Sequence, residues 1–124
     1  MKRNSSGKSA KKPPVSPELY GPYDTCWRPV SPHDLVRGTP YVFGAHTPHE
    51  QHGYGVRYQF DWSDGQQENL DFGWPDPGMP NPSHCWGSVG EKEVKVRARY
   101  YNPDNPCDCS DWSNWNSIRV IVTE

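Results

Sequence analysis

Proline and glycine constrain this chain most, because 14 prolines and 11 glycines interrupt its 124 residues. Proline removes a backbone donor inside a helix, and glycine adds an entropic cost, so closely spaced copies leave no room for a long helix. No segment of about ten residues keeps apolar residues at an unbroken helical spacing. The sequence therefore predicts an all-β protein.

Four short runs alternate apolar with polar residues, as strands with one buried face do. The runs lie at 41–45, 56–62, 94–100 and 118–122. Turn residues separate them, including Gly38, Ser63-Asp64-Gly65, Gly90 and the loop 102–110. About seven short strands at this spacing predict an antiparallel two-sheet β-sandwich.

Residues 1–23 differ in composition from the rest of the chain, because they are rich in Lys, Ser and Pro. We expect an extended N-terminal arm or linker over 1–23 and a single domain over 24–124. The arm lacks the apolar stretch of a signal peptide, and no apolar run is long enough to span a membrane. The sequence predicts no membrane insertion.

Charge is unevenly distributed along the chain. Residues 1–17 hold five of the 13 basic residues and no acid, so the remainder has eight basic against all 15 acidic residues, a net charge of −7. An acidic domain repels the phosphate backbone of nucleic acids. We therefore expect no nucleic-acid partner.

Four cysteines in so short a chain predict two disulfides and an oxidising compartment. They are Cys26, Cys85, Cys107 and Cys109. A bond between Cys107 and Cys109 across one residue would be strained, so we expect Cys26 to pair with one of them and Cys85 with the other. A tetrathiolate zinc site is the alternative, although C-x-C suits zinc less well than C-x-x-C.

Asp61 and Asp64 flank Trp62 in the stretch YQFDWSDG (58–65) and are the obvious candidates for acid/base chemistry. Asp64-Gly65 suits a two-residue hairpin turn, and Asp61 points outward from its strand. Carboxylates with different directions do not form a glycosidase-type pair. His84 has no distinguishable nucleophile neighbour, and we expect it in the core beside Trp86. The sequence predicts no catalytic residue and no cofactor.

The strand and turn motifs together resemble a PKD-like immunoglobulin-fold domain of archaeal and bacterial surface and secreted proteins. The similarity rests on GTPYVFGA (38–45), VRYQFDWSDG (56–65), SHCW (83–86), EVKVRA (93–98) and SDWSNWNSIRV (110–120). The resemblance implies a PKD-like sandwich, an extracellular or cell-surface location and a non-catalytic spacer or adhesive role. It also implies that the four thiols converge at one pole, where the first strand and the fifth strand begin.

One loop departs from the PKD-like pattern. An acidic turn of the family is replaced by HTPHEQHGYG (46–55), in which His46, His49 and His52 recur every third residue. Imidazoles at this spacing hold zinc, nickel or copper when the loop curls. Exposed loop histidines without a metal are the alternative.

Five basic residues share the outer face of the expected third, sixth and seventh strands. They are Arg57, Lys95, Arg97, Arg99 and Arg119. A basic stripe of this kind binds anionic polysaccharide or the acidic surface of a partner. The alternative is a solvated face neutralised by acidic neighbours, namely Asp61, Glu91, Glu93 and Glu124.

The run WSNWNS (112–117) resembles the WSXWS motif of cytokine-receptor sandwiches. In that motif, arginines of the adjacent strand stack on the tryptophans. The resemblance implies that Arg97 and Arg99 stack on this run through cation–π contacts.

Trp74, in the proline-rich loop GWPDPGMPNP (73–82), is the best sequence candidate for a carbohydrate contact, because exposed rings stack on pyranose faces. Its alternative role is to cover a sheet edge. Trp62, Trp86 and Trp112 are expected inside the sandwich. Asn4 is the acceptor of a possible N-glycosylation pattern.

These observations predict a non-catalytic extracellular structural or adhesive module. We expect it to be a self-assembling subunit of a surface array or filament, whose arm lies on a sheet edge of the next copy. Its partners would be other copies of itself or neighbouring surface proteins. A carbohydrate-binding accessory module that takes polysaccharide is the alternative.

Overall fold

The computed structural model describes residues 12–48, 52–73, 76 and 78–124. Within these residues there are nine strands: β1 (Glu18–Tyr23), β2 (Leu35–Val36), β3 (Tyr41–His46), β4 (Gly55–Asp61), β5 (Gln67–Phe72), β6 (Ser83–His84), β7 (Gly90–Asn102), β8 (Asn105–Cys109) and β9 (Asn116–Thr123). The predicted all-β class is confirmed. The described part of the chain contains no helix of the length and hydropathy that a membrane crossing needs.

The strands form two sheets. The small sheet has the order β1-β3-β6, and the large sheet has the order β2-β9-β7-β4-β5, with β8 also paired to β7. All pairs are antiparallel except β2 and β9, which run parallel where Leu35 lies beside Val122. The predicted two-sheet β-sandwich is confirmed, with a short parallel pair that the alternating pattern did not predict.

The core lies between the two sheets and is filled mainly by aromatic and β-branched side chains. Phe43 and Ala45 enter it from β3, and Tyr58 and Phe60 enter it from β4, all with 0% exposure. These residues alternate with outward-facing ones, which explains why the period of two was visible in the sequence.

Residues 18–23 form the first strand of the sandwich and are not part of an arm. Glu18 pairs with His46 of β3, and Tyr23 pairs with Val42 after a register shift that follows Tyr20. The shift breaks the alternation of ELYGPY, so this stretch does not resemble a strand in the sequence. The domain therefore begins before the predicted boundary at Asp24.

The three residues before β1 are also held against the domain. The hydroxyl of Thr47 donates to the carbonyl of Val15 (2.8 Å), and the hydroxyl of Ser16 donates to the carbonyl of Asn114 (3.0 Å). The side-chain amide of Asn116 donates to the carbonyl of Pro17 (2.9 Å). Hydrogen bonds within the same chain thus fix residues 15–17.

Candidate functional site

The turn between β4 and β5 holds Asp61 and Asp64 in structural roles. The carboxylate of Asp61 accepts a hydrogen bond from the backbone N–H of Ser63 (3.0 Å), and that of Asp64 accepts one from Gln66 (3.1 Å). The positive φ angles fall on Ser63 (67°) and Gly65 (85°), not on Asp64. The carboxylates fix a tight turn, as the sequence indicated; Gly65 is left-handed as expected, but the other left-handed residue is Ser63 and not Asp64.

Asp64 also anchors His84 of the small sheet. Its second carboxylate oxygen lies 2.6 Å from Nε2 of His84, whose side chain is only 10% exposed. The imidazole stacks on Trp62 with ring centroids 4.7 Å apart and meets the edge of Trp86 at 4.9 Å. Trp86 in turn donates its indole N–H to the carbonyl of Trp62 (2.8 Å). This cluster links the two sheets, and none of these contacts brings a Ser, Thr or Cys nucleophile to the histidine.

Cys26 and Cys85 lie at the end of the sandwich where β3 begins. Cys26 follows β1, which runs antiparallel to β3 and finishes beside Val42. Cys85 follows β6, whose His84 pairs with Tyr41, the first residue of β3. The missed strand β1 explains the first position, since it moves Cys26 from the start of the first strand to its end.

Cys107 and Cys109 lie at the opposite end. Cys109 pairs with Tyr101 near the end of β7, and Tyr101 pairs with Gly55 at the start of β4. The six residues of β3 alone separate the two ends by about 20 Å, whereas bonded cysteines need Cα atoms within about 7 Å. The expected convergence of four thiols at one pole is wrong, and so is the expected pairing of Cys26 and Cys85 with the other two. All four are free thiols in the structure, and disulfide formation stays a prediction.

The histidine loop gives no metal centre among the described residues. His46 ends β3 beside Glu18, and its Nδ1 is buried without a hydrogen-bond partner among the described atoms. His52 is exposed, and His49 lies outside the described residues. Within the described ranges, no group of three His, Cys, Asp or Glu side chains is placed to hold a metal ion. A metal site at His46, His49 and His52 remains a prediction.

The outer face of β7 carries a continuous stack of cations and indoles, here called the cation–π ladder. Its members in spatial order are Lys95, Trp115, Arg97, Trp112 and Arg99. The guanidinium of Arg97 lies 4.4 Å from the ring centroid of Trp112 and 4.3 Å from that of Trp115. Arg99 lies 4.4 Å from Trp112, and the ammonium of Lys95 lies 5.2 Å from Trp115. The stacking expected from the WSNWNS run is present, and Trp112 belongs to this outer stack and not to the interior.

Two serines hold the tryptophan segment against β7. Ser110 donates its backbone N–H to the carbonyl of Tyr100 (3.0 Å), while its hydroxyl accepts the N–H of the same tyrosine (3.0 Å). Ser113 repeats both bonds with Ala98, at 2.8 Å and 3.0 Å. The next residue in the series, Asn116, pairs with Val96. The segment thus advances three residues for every two residues of β7, which places a tryptophan on the outer face in each repeat.

Two of the five cations in the predicted basic stripe are paired with acids of the same chain. Arg57 makes a bidentate ion pair with Asp71 (2.7 and 2.9 Å), which raises the pKa of the guanidinium. Arg119 pairs with Glu91 at 3.4 Å. Burial, and secondarily the positive charge of Arg99, lowers the pKa of Arg97. The other three, Lys95, Arg97 and Arg99, contact indole rings and not carboxylates, so binding of an anionic partner to the stripe stays a prediction.

An open apolar cleft, here called the aromatic cleft, lies on the outer face of the small sheet. It has a volume of about 340 Å³ and is lined by Tyr20, Tyr23, Trp27, Gly44, Met79 and Asn81. Gly44 pairs with Tyr20, and a Cβ at this position would lie 3.3 Å from the side-chain oxygen of Asn81, which requires a small residue beneath the 80–81 segment. Trp27 and Met79 are 55% and 52% exposed, so two large apolar side chains of the cleft face solvent.

The turn that carries Trp27 is held by Asp24. One carboxylate oxygen of Asp24 accepts hydrogen bonds from the backbone N–H groups of Cys26 and Arg28, both at 2.9 Å. The other oxygen accepts from the side chain of Arg28 at 3.2 Å. The bond from the Arg28 N–H is the main reason that the pKa of Asp24 is lowered. Trp27 itself has a φ of 64°, a left-handed conformation that bulky residues rarely adopt.

The aromatic cleft was missed because its residues are scattered in the sequence. Tyr20 and Tyr23 fall in the predicted arm, and Met79 and Asn81 fall in the proline-rich loop. The sequence signal that pointed to this surface was the loop 73–82, although the chosen residue, Trp74, lies outside the described residues. Asn4 also lies outside them, so its glycosylation stays a prediction.

The comparisons with known proteins support the fold. No family model matches the chain, and no curated protein matches it. A solved structure, the PKD domain of an M14-like peptidase from a Thermoplasmatales archaeon, is 24% identical to it with a TM-score of 0.57. That match covers 93% of this chain and 100% of the archaeal domain. The chain therefore has the PKD-like fold that its strand and turn motifs predict.

Proposed function

We propose that this chain is a non-catalytic adhesive module of an extracellular protein. The observation that carries the proposal is the aromatic cleft on the outer face of the small sheet, where Trp27 and Met79 expose about half of their side chains. Contiguous exposed apolar surface on a small domain is typical of a contact site. The likeness to a PKD domain agrees with this role, since such domains are typically spacer or adhesive modules of extracellular proteins.

The large sheet has a complementary role in this proposal. Its outer face is covered by the cation–π ladder and by ion pairs such as Arg57–Asp71. Groups that are already paired within the domain offer little to a partner, but they brace a long strand against bending. We infer that the large sheet supplies stiffness and the small sheet supplies the contact.

An adhesion assay tests the proposal. The purified chain on beads is exposed to insoluble polysaccharides and, separately, to a surface coated with the chain itself, and retention is measured. We expect retention on at least one surface, lost in a Trp27→Ala/Met79→Ala double variant. Val89→Ala is the matched control, because Val89 is also an exposed apolar residue (46%) but does not line the cleft. Equal retention of all three proteins, or none of the wild type, contradicts an adhesive cleft.

Self-assembly through the N-terminal arm is a second candidate function. Hydrogen bonds tie Val15, Ser16 and Pro17 to the same chain, so in this proposal the connector between copies lies before Val15. Light scattering on the full chain and on a version that begins at Val15 tests this, with the prediction that only the full chain forms ordered polymers. A version that begins at Asp24 is unsuitable, because it lacks β1. Monomers from both proteins would exclude assembly through the arm.

A further inference from the structure

We propose that the aromatic cleft is a binding site for the pyranose rings of a neutral polysaccharide. This inference rests on the adhesive role proposed above and names the chemistry of the ligand. The rings of Tyr23 and Trp27 pack against each other with centroids 5.8 Å apart at an angle of 45°, and both line the cleft, so together they form one tilted aromatic wall. Such a wall offers an apolar face for the C–H faces of a sugar, whose hydroxyls remain in water or reach the exposed amide of Asn81.

The charges around the cleft select a neutral ligand. None of the six lining residues is charged. The two acidic residues nearest in sequence are engaged, because Glu18 accepts a hydrogen bond from the hydroxyl of Tyr20 and Asp24 accepts hydrogen bonds from the backbone of its own turn. No cation lines the cleft, so an anionic polymer would find no ion-pair partner there. The nearby carboxylates of Glu18 and Asp24 already accept hydrogen bonds, so a basic peptide such as residues 1–12 would have to compete for them. Contacts with ring faces and uncharged polar groups suit a neutral sugar.

The backbone at Trp27 supports a binding role more than a structural one. A left-handed conformation is unfavourable for a residue with a Cβ, and such outliers persist where the surrounding structure fixes them. Here Asp24 fixes the turn, and the strained residue presents an indole that is more than half exposed. Stability alone would favour glycine or asparagine at this position. Because the backbone that carries the ring is fixed before a ligand arrives, binding loses less conformational entropy.

Titration with neutral hexasaccharides of glucose, N-acetylglucosamine and mannose tests the proposal, with tryptophan fluorescence and calorimetry as readouts on the full chain. We expect at least one of them to bind. Trp27→Gly should weaken binding at least about tenfold, because aromatic anchors at the centre of a site dominate its affinity. The same variant should keep or raise the melting temperature, since glycine accepts the left-handed backbone. A merely structural tryptophan would give the opposite result for stability.

Two further variants keep the test decisive. Tyr23→Phe retains the ring and should bind almost as the wild type does, and Val89→Ala should bind unchanged. Failure of all three sugars at millimolar concentration, or binding that survives Trp27→Gly, overturns the proposal. A synthetic peptide of residues 1–17 is titrated in parallel, and tight binding of that peptide alone would make the arm of a second copy the occupant and also overturn it. Retention on a surface of the chain itself without sugar binding would leave the adhesive role intact, so the two failures are distinguishable.

Discussion

Replacement of Arg97 by methionine tests whether the cation–π ladder stabilises the fold. Arg97 is the central cation of the ladder, because its guanidinium lies between Trp112 and Trp115 at 4.4 Å and 4.3 Å. Its Nε also donates to the side-chain carbonyl of Gln59 at 2.9 Å. Methionine keeps an apolar chain of similar length and removes the charge, the planar stack and the donor.

The expected loss follows from these contacts. Two cation–π contacts at partly exposed positions contribute about 0.5–1 kcal/mol each. The hydrogen bond to Gln59 contributes about 1.5 kcal/mol, because its donor is charged. Burial of the guanidinium and the charge of Arg99 offset part of this sum, as the lowered pKa of Arg97 indicates. We expect Arg97→Met to reduce the free energy of unfolding by about 1–2 kcal/mol and the melting temperature by roughly 4–8 °C for a domain of this size.

Urea denaturation with a double-mutant cycle separates the ladder from general packing. Arg97→Met and Trp112→Ala, alone and together, should give a coupling energy of about 0.5–1 kcal/mol. Arg119→Met is the matched control on the same sheet, and it should cost less than about 0.5 kcal/mol, because its ion pair with Glu91 is exposed. A coupling energy below about 0.3 kcal/mol, which is the error of such cycles, would refute the ladder as a source of stability.

Three further predictions concern single positions. Ser113→Ala leaves the buried N–H of Ala98 without its acceptor (3.0 Å), so we expect a loss of about 1–3 kcal/mol in urea denaturation, and an unchanged midpoint would contradict the serine pairing. Gly55→Ala places a Cβ 2.7 Å from the carbonyl oxygen of Phe72, and the forced shift of β5 should cost about 1–3 kcal/mol, visible as a lower melting temperature. The lowered pKa of Asp24 means that its ionised form stabilises the turn above the unfolded pKa of roughly 3.9 and that this contribution disappears as pH falls through the lower, folded pKa. Acid titration should therefore change tryptophan fluorescence below about pH 4, and a change of the same size in Asp24→Asn would exclude this explanation.

The fold was predictable where the chain alternates with a period of two. Strands β3, β4, β7 and β9 each place apolar side chains on one face, and Gly65 and Gly90 mark turns between them with positive φ. Strand β1 was not predicted because its register shift interrupts the alternation. Strand β8 was not predicted because NPCDC carries no apolar pattern and pairs with β7 through its backbone. Sequence patterns report side-chain burial, so strands held mainly by backbone bonds remain invisible to them.

The two outer surfaces of the sandwich also differ in how far the sequence predicts them. The cation–π ladder was predictable, because its tryptophans lie three residues apart in one run and its cations alternate along one strand. The aromatic cleft was not, because Tyr20, Trp27, Gly44 and Met79 meet only once β1 pairs with β3. The cysteine positions failed for the same reason, since the end of the sandwich at which Cys26 lies depends on a strand that the sequence did not reveal.

The repeat of three residues against two along β7 restricts how this domain can change in length. Deleting one residue between Ser110 and Asn116 would bring a tryptophan or an asparagine to a position where a serine hydroxyl accepts a backbone N–H of β7. The residues after the deletion would then lose their register with β7. Inserting three residues there, together with two in β7, would add one complete repeat and preserve the pairing of all the others. Related domains should therefore differ in the length of this pairing by complete repeats of three residues against two. A segment without regular secondary structure thus limits the lengths that β7 can adopt.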